Sequence, residues 1–220
     1  MARQFKAVAF DLDGTILDTS AGILASIKYT IQRLGLKPLE EEVLRRFIGP
    51  PIQNSFARYY GLEGGALKEA AAVFRDRYKT EDLLKAAPYE GIYDVFAALC
   101  RKGIKPVIAT YKRQDYAAAL LRHFAFHQYT EIMCGSDFEG RLQKKDILEN
   151  ALKSAGISDY GEAVMVGDTD NDAVGAESIG AAFIGVTYGF GFRTREDVCR
   201  FRAVGAADSP QELREILVGG

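Results

Sequence analysis

Ala7-Val8-Ala9-Phe10-Asp11-Leu12-Asp13-Gly14-Thr15 is the stretch on which the architecture turns. Its first four residues are apolar without alternation, the pattern of a short strand covered on both faces. Similar runs recur at 106–109 (PVIA), 131–134 (EIMC), 163–166 (AVMV) and 182–186 (AFIGV). Between the later runs, apolar residues fall at helical spacing. Val95, Phe96 and Leu99 make one stripe, Tyr116, Leu120 and Phe124 another, and Ile147, Leu148, Ala151 and Leu152 a third. Strand and helix alternating in this way predict an α/β fold, a parallel sheet with helices on both faces. Sheets of this kind bind ligands at the carboxyl ends of their strands.

The stretch 18–87 breaks the alternation. It shows helical patterns and no convincing strand. Ile23, Leu24, Ile27, Ile31 and Leu34 form a stripe between a cap at Asp18, Thr19 or Ser20 and the stop at Gly35. Gly49-Pro50-Pro51 breaks a second helix, and Gly61 with Gly64-Gly65 separates two more, the last carrying Leu67, Ala71, Phe74 and Tyr78. About seventy residues far exceed what a crossover between strands needs. An all-helical insertion over the strand ends is expected at 18–87, with 1–17 and 88–220 forming the core; extra helices packed on the sheet are the alternative.

The chain has 220 residues, 48% of them hydrophobic and 26% charged, enough for one large core and a second small one. A net charge of −2 argues against a broad basic surface, so no nucleic-acid polymer is expected as partner. Cys100, Cys134 and Cys199 form no CxxC pair and read as reduced thiols. The apolar run ending at Asp11 is too short for a signal peptide, and no run reaches membrane length. A soluble, cytoplasmic protein is expected.

The chemistry begins where the first strand ends. Residues i and i+2 of an extended chain point the same way, so Asp11 and Asp13 present two carboxylates on one side. Like charges that close conflict unless a cation lies between them, and hard oxygen ligands suit Mg²⁺. Gly14 permits a tight turn and close approach of a ligand. A calcium loop would need further ligands and a glutamate at fixed offsets, which Thr15-Ile16-Leu17 does not supply.

A second acidic group, Gly167-Asp168-Thr169-Asp170-Asn171-Asp172, follows the run at 163–166. Asp168 and Asp172 are four apart, suited to one helical face, while Asp170 is read as an acidic residue at a helix start. Thr110 is expected to close the strand at 106–109, its hydroxyl on the same edge as Asp11. Lys144, or Lys145 beside it, opens a helix and brings a positive charge towards the carboxylates. His123 and His127 lie four apart among aromatic neighbours and lack a third ligand. Arg193, Arg195, Arg200 and Arg202 read as a solvated helix face. Arg45 and Arg46 precede the Gly-Pro-Pro break, either facing solvent or reaching a second anionic group on a substrate.

Together these residues resemble the haloacid dehalogenase superfamily over essentially the whole chain. Asp11-Leu12-Asp13-Gly14-Thr15 matches its first motif, Thr110 the second, Lys144 the third, and Gly167-Asp168 with Asp172 the fourth. The insertion resembles the family's helical type-1 cap, and the core its Rossmann-like sheet. Thr187-Tyr188-Gly189-Phe190-Gly191 and Phe47-Ile48-Gly49-Pro50-Pro51 are similar to phosphoglycolate phosphatases and nucleotidase-like members. Tyr111 stands where many relatives carry a small residue, and Arg113 where proline is frequent.

The resemblance implies a phosphatase with Asp11 as nucleophile, Asp13 as acid–base, and Thr110 and Lys144 bound to the transferring group. It implies Mg²⁺ held by Asp11, the carbonyl of Asp13 and Asp168, with Asp172 behind. Gly14, Tyr111, Lys112, Arg46, Gly49 and Pro50 become candidates for binding a small phosphorylated metabolite. A phosphomutase would use the same residues with a different acceptor. A phospho-accepting receiver also combines aspartates, Thr and Lys, but its acceptor follows a later strand and it has no large insertion. A dehalogenase would not need Asp13. No G-x-G-x-x-G follows a strand, Gly189-Phe190-Gly191 lacks the third glycine, and there is no Walker A pattern.

Overall fold

The structure, a computed structural model, describes residues 5–138 and 141–219. It divides into two compact units, Met1–Asp18 with Pro88–Gly220, and Thr19–Ala87. Asp18, grouped with the insertion on sequence grounds, therefore falls in the first unit.

In chain order the strands are β1 (Ala7–Phe10), β2 (Leu17–Asp18), β3 (Ala87–Pro88), β4 (Lys105–Arg113), β5 (Met133–Ser136), β6 (Ala163–Gly167), β7 (Ala182–Val186) and β8 (Ala203–Ala207). The helices are α1 (Ser20–Arg33), α2 (Glu41–Arg45), α3 (Ile52–Tyr60), α4 (Gly64–Arg77), α5 (Ile92–Arg101), α6 (Gln114–His123), α7 (Lys144–Ser154), α8 (Asp170–Ile179), α9 (Arg195–Cys199) and α10 (Pro210–Val218).

Six strands form one parallel sheet in the order β5-β4-β1-β6-β7-β8, and β2 pairs with β3. The alternation of side chains along β1 explains why the sheet is covered on both faces. Ala7 and Ala9 pack with Ile147, Leu148, Ala151, Ala173 and Ala176 of α7 and α8. Phe10 points the other way and stacks on Phe96 of α5 at 4.6 Å. All four β1 residues are fully buried, as the unalternating run predicts.

Three strand assignments change. The strand expected at 131–134 lies at Met133–Ser136, because it continues through Gly135 and Ser136, which carry no apolar signal. The strand at 106–109 does not close at Thr110 but runs on to Arg113. Its register against β5 shifts between Ala109 and Arg113: four steps along β4 answer two along β5, from Cys134 to Ser136. The extra residues make a bulge that re-aims Thr110, Tyr111 and Lys112. The edge strand β8, AVGAA, gave no sequence signal because its residues are small and half-exposed.

Residues 19–87 hold α1 to α4; the stretch 18–87, expected to contain no strand, has strand residues at its two ends among the described residues, Asp18 in β2 and Ala87 in β3, pairs too short to give an apolar run. The Gly64-Gly65 pair, expected as a separator, forms the first turn of α4; Gly61, with φ +64°, is the residue that ends α3. Phe47 packs edge-on against Phe56 and stacks on Tyr59. A π-helical turn, Tyr78–Asp82, carries the fully buried Asp82 to Ser26 Oγ (2.9 Å), Arg77 Nε (3.0 Å) and Lys85 Nζ (2.7 Å), so a buried charge there is matched on three sides. Among the described residues, no helix is long and apolar enough to cross a membrane.

Candidate active site

Register brings the candidate residues to one edge of the sheet. Phe10 pairs with Ile108 on one side and Val166 on the other. Asp11, the next residue, donates its N–H to the Val166 carbonyl at 2.9 Å. Two residues beyond Ile108 stands Thr110, and two beyond Val166 stands Asp168. All three are buried.

After Asp11 the chain winds tightly. The Leu12 carbonyl accepts from the N–H groups of Thr15, Ile16 and Leu17, and the Gly14 N–H donates to Leu17. Gly14 has φ +82°, and a methyl there would run into the Asp168 carboxylate and sit 2.9 Å from the Phe190 ring. Glycine is required on both counts.

Lys144 is the buried lysine of the adjacent pair, 3% exposed, while Lys145 is exposed. Its Nζ lies 2.5 Å from Asp11 Oδ1 and 2.6 Å from Asp172 Oδ1, the second contact an ion pair rather than a directed hydrogen bond. Two features place it. The Gln143–Asp146 capping box starts α7 at this residue, and its backbone N–H donates to the Tyr111 hydroxyl at 2.8 Å. The Lys144 stem then runs past Gly175 of α8, where a Cβ would lie 2.8 Å from Lys144 Cγ. Gly175 was not singled out from the sequence; a lone glycine inside a helical stretch was its one signal, and the lysine it faces is visible only in the fold.

Asp168 and Asp172 do not share a helical face. Asp168 sits in the turn before α8, and Thr169 caps that helix in a reciprocal capping box with Asp172. Asp172 Oδ2 accepts from Thr169 N (3.1 Å) and Oγ1 (2.7 Å), which turns Oδ1 to Lys144. Asp170 is exposed and binds locally, accepting from Asn171 N. Asp168 Oδ2 accepts from the N–H groups of Phe190 (2.7 Å) and Gly191 (3.1 Å), and the Phe192 N–H donates to the Asp168 carbonyl at 2.7 Å. The 187–191 segment, singled out for its family likeness, is thus the cradle of Asp168, and Tyr188 fastens it by donating to the Thr15 carbonyl at 3.0 Å.

Asp11, Asp168 and Asp172 each offer an oxygen within 4.8 Å of the others. Asp168 Oδ1 is buried and has no hydrogen-bond partner. Three carboxylates against one ammonium leave two negative charges over, and an unpaired buried oxygen is costly. The donor set therefore fits a hard divalent cation. Without one, burial pushes Asp168 up to about 8, with Asp172 and Asp11 adding to the rise. Burial likewise pushes Asp11 up to about 6 against the opposing pull of Lys144. Burial works against charge on Lys144, but Asp11 and Asp172 outweigh it and hold the ammonium above its ordinary value.

Asp13 stands apart from this cluster. Lys112 Nζ lies 2.9 Å from each of its carboxylate oxygens. Thr110 Oγ1 accepts from the Lys112 N–H at 3.1 Å, so its own proton is aimed elsewhere. The other candidates, Arg46, Gly49 and Pro50, belong to the second unit and are exposed; Arg46 pairs with Glu42 at 2.8 Å. Of the arginine cluster, Arg195 clamps Asp208 and Glu212, tying α9 to α10.

Residues 8–186 match the model of the haloacid dehalogenase-like hydrolases. The chain is 34% identical to a 5'-nucleotidase of Pseudomonas aeruginosa, over 86% of each chain. It is 32% identical to a phosphoglycolate phosphatase of Agrobacterium fabrum, over 82% of this chain and 80% of that one. It is also 32% identical to the tyrosine-protein kinase PtkA of Mycobacterium tuberculosis, over 96% of this chain and 72% of that one. The solved structure of PtkA superposes with a TM-score of 0.82, covering 97% of this chain and 98% of the other. The sheet order, the strand-end carboxylates and a family match over most of the sequence agree: this chain belongs to the haloacid dehalogenase-like hydrolases.

Proposed function

We propose that this chain is a Mg²⁺-dependent phosphatase that moves the phosphoryl group of a small phosphate monoester to Asp11 and then to water. The observation that carries the reading is Asp11 itself, buried at the end of the central strand, 2.5 Å from Lys144 and within 4.8 Å of Asp168 and Asp172. A carboxylate so placed can attack phosphorus in line and divide one difficult displacement into two easier ones. The ester oxygen leaves with a proton from Asp13; water then attacks the aspartyl-phosphate as Asp13 takes a proton back. Thr110 has its proton available to a phosphoryl oxygen, and Lys144 offsets charge on nucleophile and phosphate. Mg²⁺ held by Asp11, Asp168 and the Asp13 carbonyl, with Asp172 behind them, would neutralise phosphoryl charge and favour the ionised form of the carboxylates that bind it.

The names of two relatives favour phosphoglycolate-type esters or nucleoside 5'-monophosphates as substrates. The test is inorganic phosphate release across a panel of such esters, with Mg²⁺ and with EDTA. Phosphate equal to ester consumed, in Mg²⁺ alone, supports the reading. Ester consumed with its phosphate transferred to another hydroxyl would identify a mutase or kinase instead. Variants of Arg46, Gly49 and Pro50 run on the same panel test whether these residues take part in recognition, since losing contacts to remote substrate groups would alter the ranking of esters.

A further inference from the structure

Lys112 meets both oxygens of one carboxylate. Its side chain is 6% exposed and that of Asp13 15%, and its ammonium contacts both Asp13 oxygens at 2.9 Å. The backbone of each partner is fixed independently. The β4 bulge and the Lys112 N–H bond to Thr110 Oγ1 hold one; an isolated bridge from Asp13 to Leu17 holds the other. Backbone bonds do not fix the two Asp13 side-chain torsions, and a two-point, charge-assisted contact restricts them.

We infer that Lys112 is a positioning residue for Asp13, holding its carboxylate in the orientation from which it serves the ester oxygen. This rests on the phosphatase reading above and adds a role distinct from the substrate contact expected of Lys112 on sequence grounds. Misplacing a proton donor by about 1 Å costs on the order of 10²-fold, so the contact governs rate rather than affinity.

The test uses phenyl phosphate and p-nitrophenyl phosphate, which share a shape and carry no remote charged group. The phenolate leaving group needs a proton far more than p-nitrophenolate does. Their kcat/KM values end at formation of the phosphoenzyme and isolate the step in which Asp13 donates. With Mg²⁺ present, Lys112→Met should lower kcat/KM by about tenfold or more on phenyl phosphate and by less than about threefold on p-nitrophenyl phosphate. On an Asp13→Asn background it should cost nothing further. Equal losses on both esters, or a full additional loss in the double variant, overturn the inference and leave the phosphatase reading intact. Failure of the parent to release phosphate from these aryl esters and from the metabolite panel above sinks both. Should Lys112→Met not fold, Lys112→Gln and Lys112→Arg face the same two comparisons, with Arg expected to recover part of the phenyl phosphate rate.

Discussion

Replacing Lys144 by methionine keeps the stem beside Gly175 and removes the ammonium from between two buried carboxylates. Asp11 and Asp172 are 10% and 1% exposed at their side chains, and each loses a contact of 2.5 or 2.6 Å. Removing one partner of a buried pair typically costs about 3–5 kcal/mol, because the remaining charge stays desolvated. For a unit of this size 1 kcal/mol corresponds to roughly 2–4 °C, so the metal-free melting temperature should fall by about 10 °C. Turnover of p-nitrophenyl phosphate should fall by roughly 10² or more if, as proposed, the ammonium stabilises charge on the transferring group. Lys145→Met, one residue on and exposed, should change stability by no more than about 0.5 kcal/mol. Calorimetry in EDTA and initial rates in Mg²⁺ provide the readouts. Adding Asp172→Asn to Lys144→Met should return part of the lost stability, because one of the stranded charges is then gone. The reasoning is refuted if Lys144→Met melts and turns over like the parent, or if Lys145→Met carries the larger loss.

Other expectations bear on the same cluster. Asp11→Asn should abolish turnover with the fold intact, and EDTA should abolish it reversibly in the parent; a rate that survives either treatment counts against the covalent, metal-dependent route. In the metal-free chain, carboxyls raised to about 6 at Asp11 and about 8 at Asp168 bind protons more tightly folded than unfolded. Each therefore contributes falling stability as pH rises, by up to about 1.4 kcal/mol per pH unit, from near 4 to its own folded value. Melts in EDTA should drop from pH 5 to 8, and the gain from Mg²⁺ should be larger at pH 8 than at pH 6; a metal-free melt that rises over that span contradicts the assignment. Gly14→Ala should lower Mg²⁺ affinity as well as stability, because its methyl meets Asp168; isothermal titration giving the parent's affinity would show the contact to be relieved harmlessly.

The parallel sheet was legible because burial on both faces leaves continuous apolar runs, and β1, β6 and β7 show them. The same logic failed where small residues carry a strand, as in β8 and the Gly135-Ser136 end of β5. Asp11 and Asp168 were legible because each stands at the end of an apolar run, whereas Lys144 stands apart from any run and was read only as one of an adjacent pair with Lys145. The partnership of Lys112 with Asp13 was not, since it depends on a bulge set by the register of β4 against β5, and register between parallel neighbours is invisible in one sequence. Nor could spacing show that Asp172 divides its oxygens between a helix cap and Lys144. The four-residue interval suggested a shared helical face, whereas the helix begins after Asp168.

The central place of β1 also bears on how the molecule is made. Its neighbours in the sheet lie 98 and 156 residues further along the chain, at Lys105 and Ala163 opposite Ala7. Emerging from the ribosome before its partners, the strand that leads into Asp11 has no ladder to join until they too have been synthesised. Pairing over such separations is slow, because long loops must close before the contacts reward them. Residues 19–87, mostly helical and a compact unit by themselves, have time to fold in the interval. The three clustered carboxylates therefore come together only as β6 arrives, so a chain truncated before residue 163 would carry Asp11 without Asp168 and Asp172.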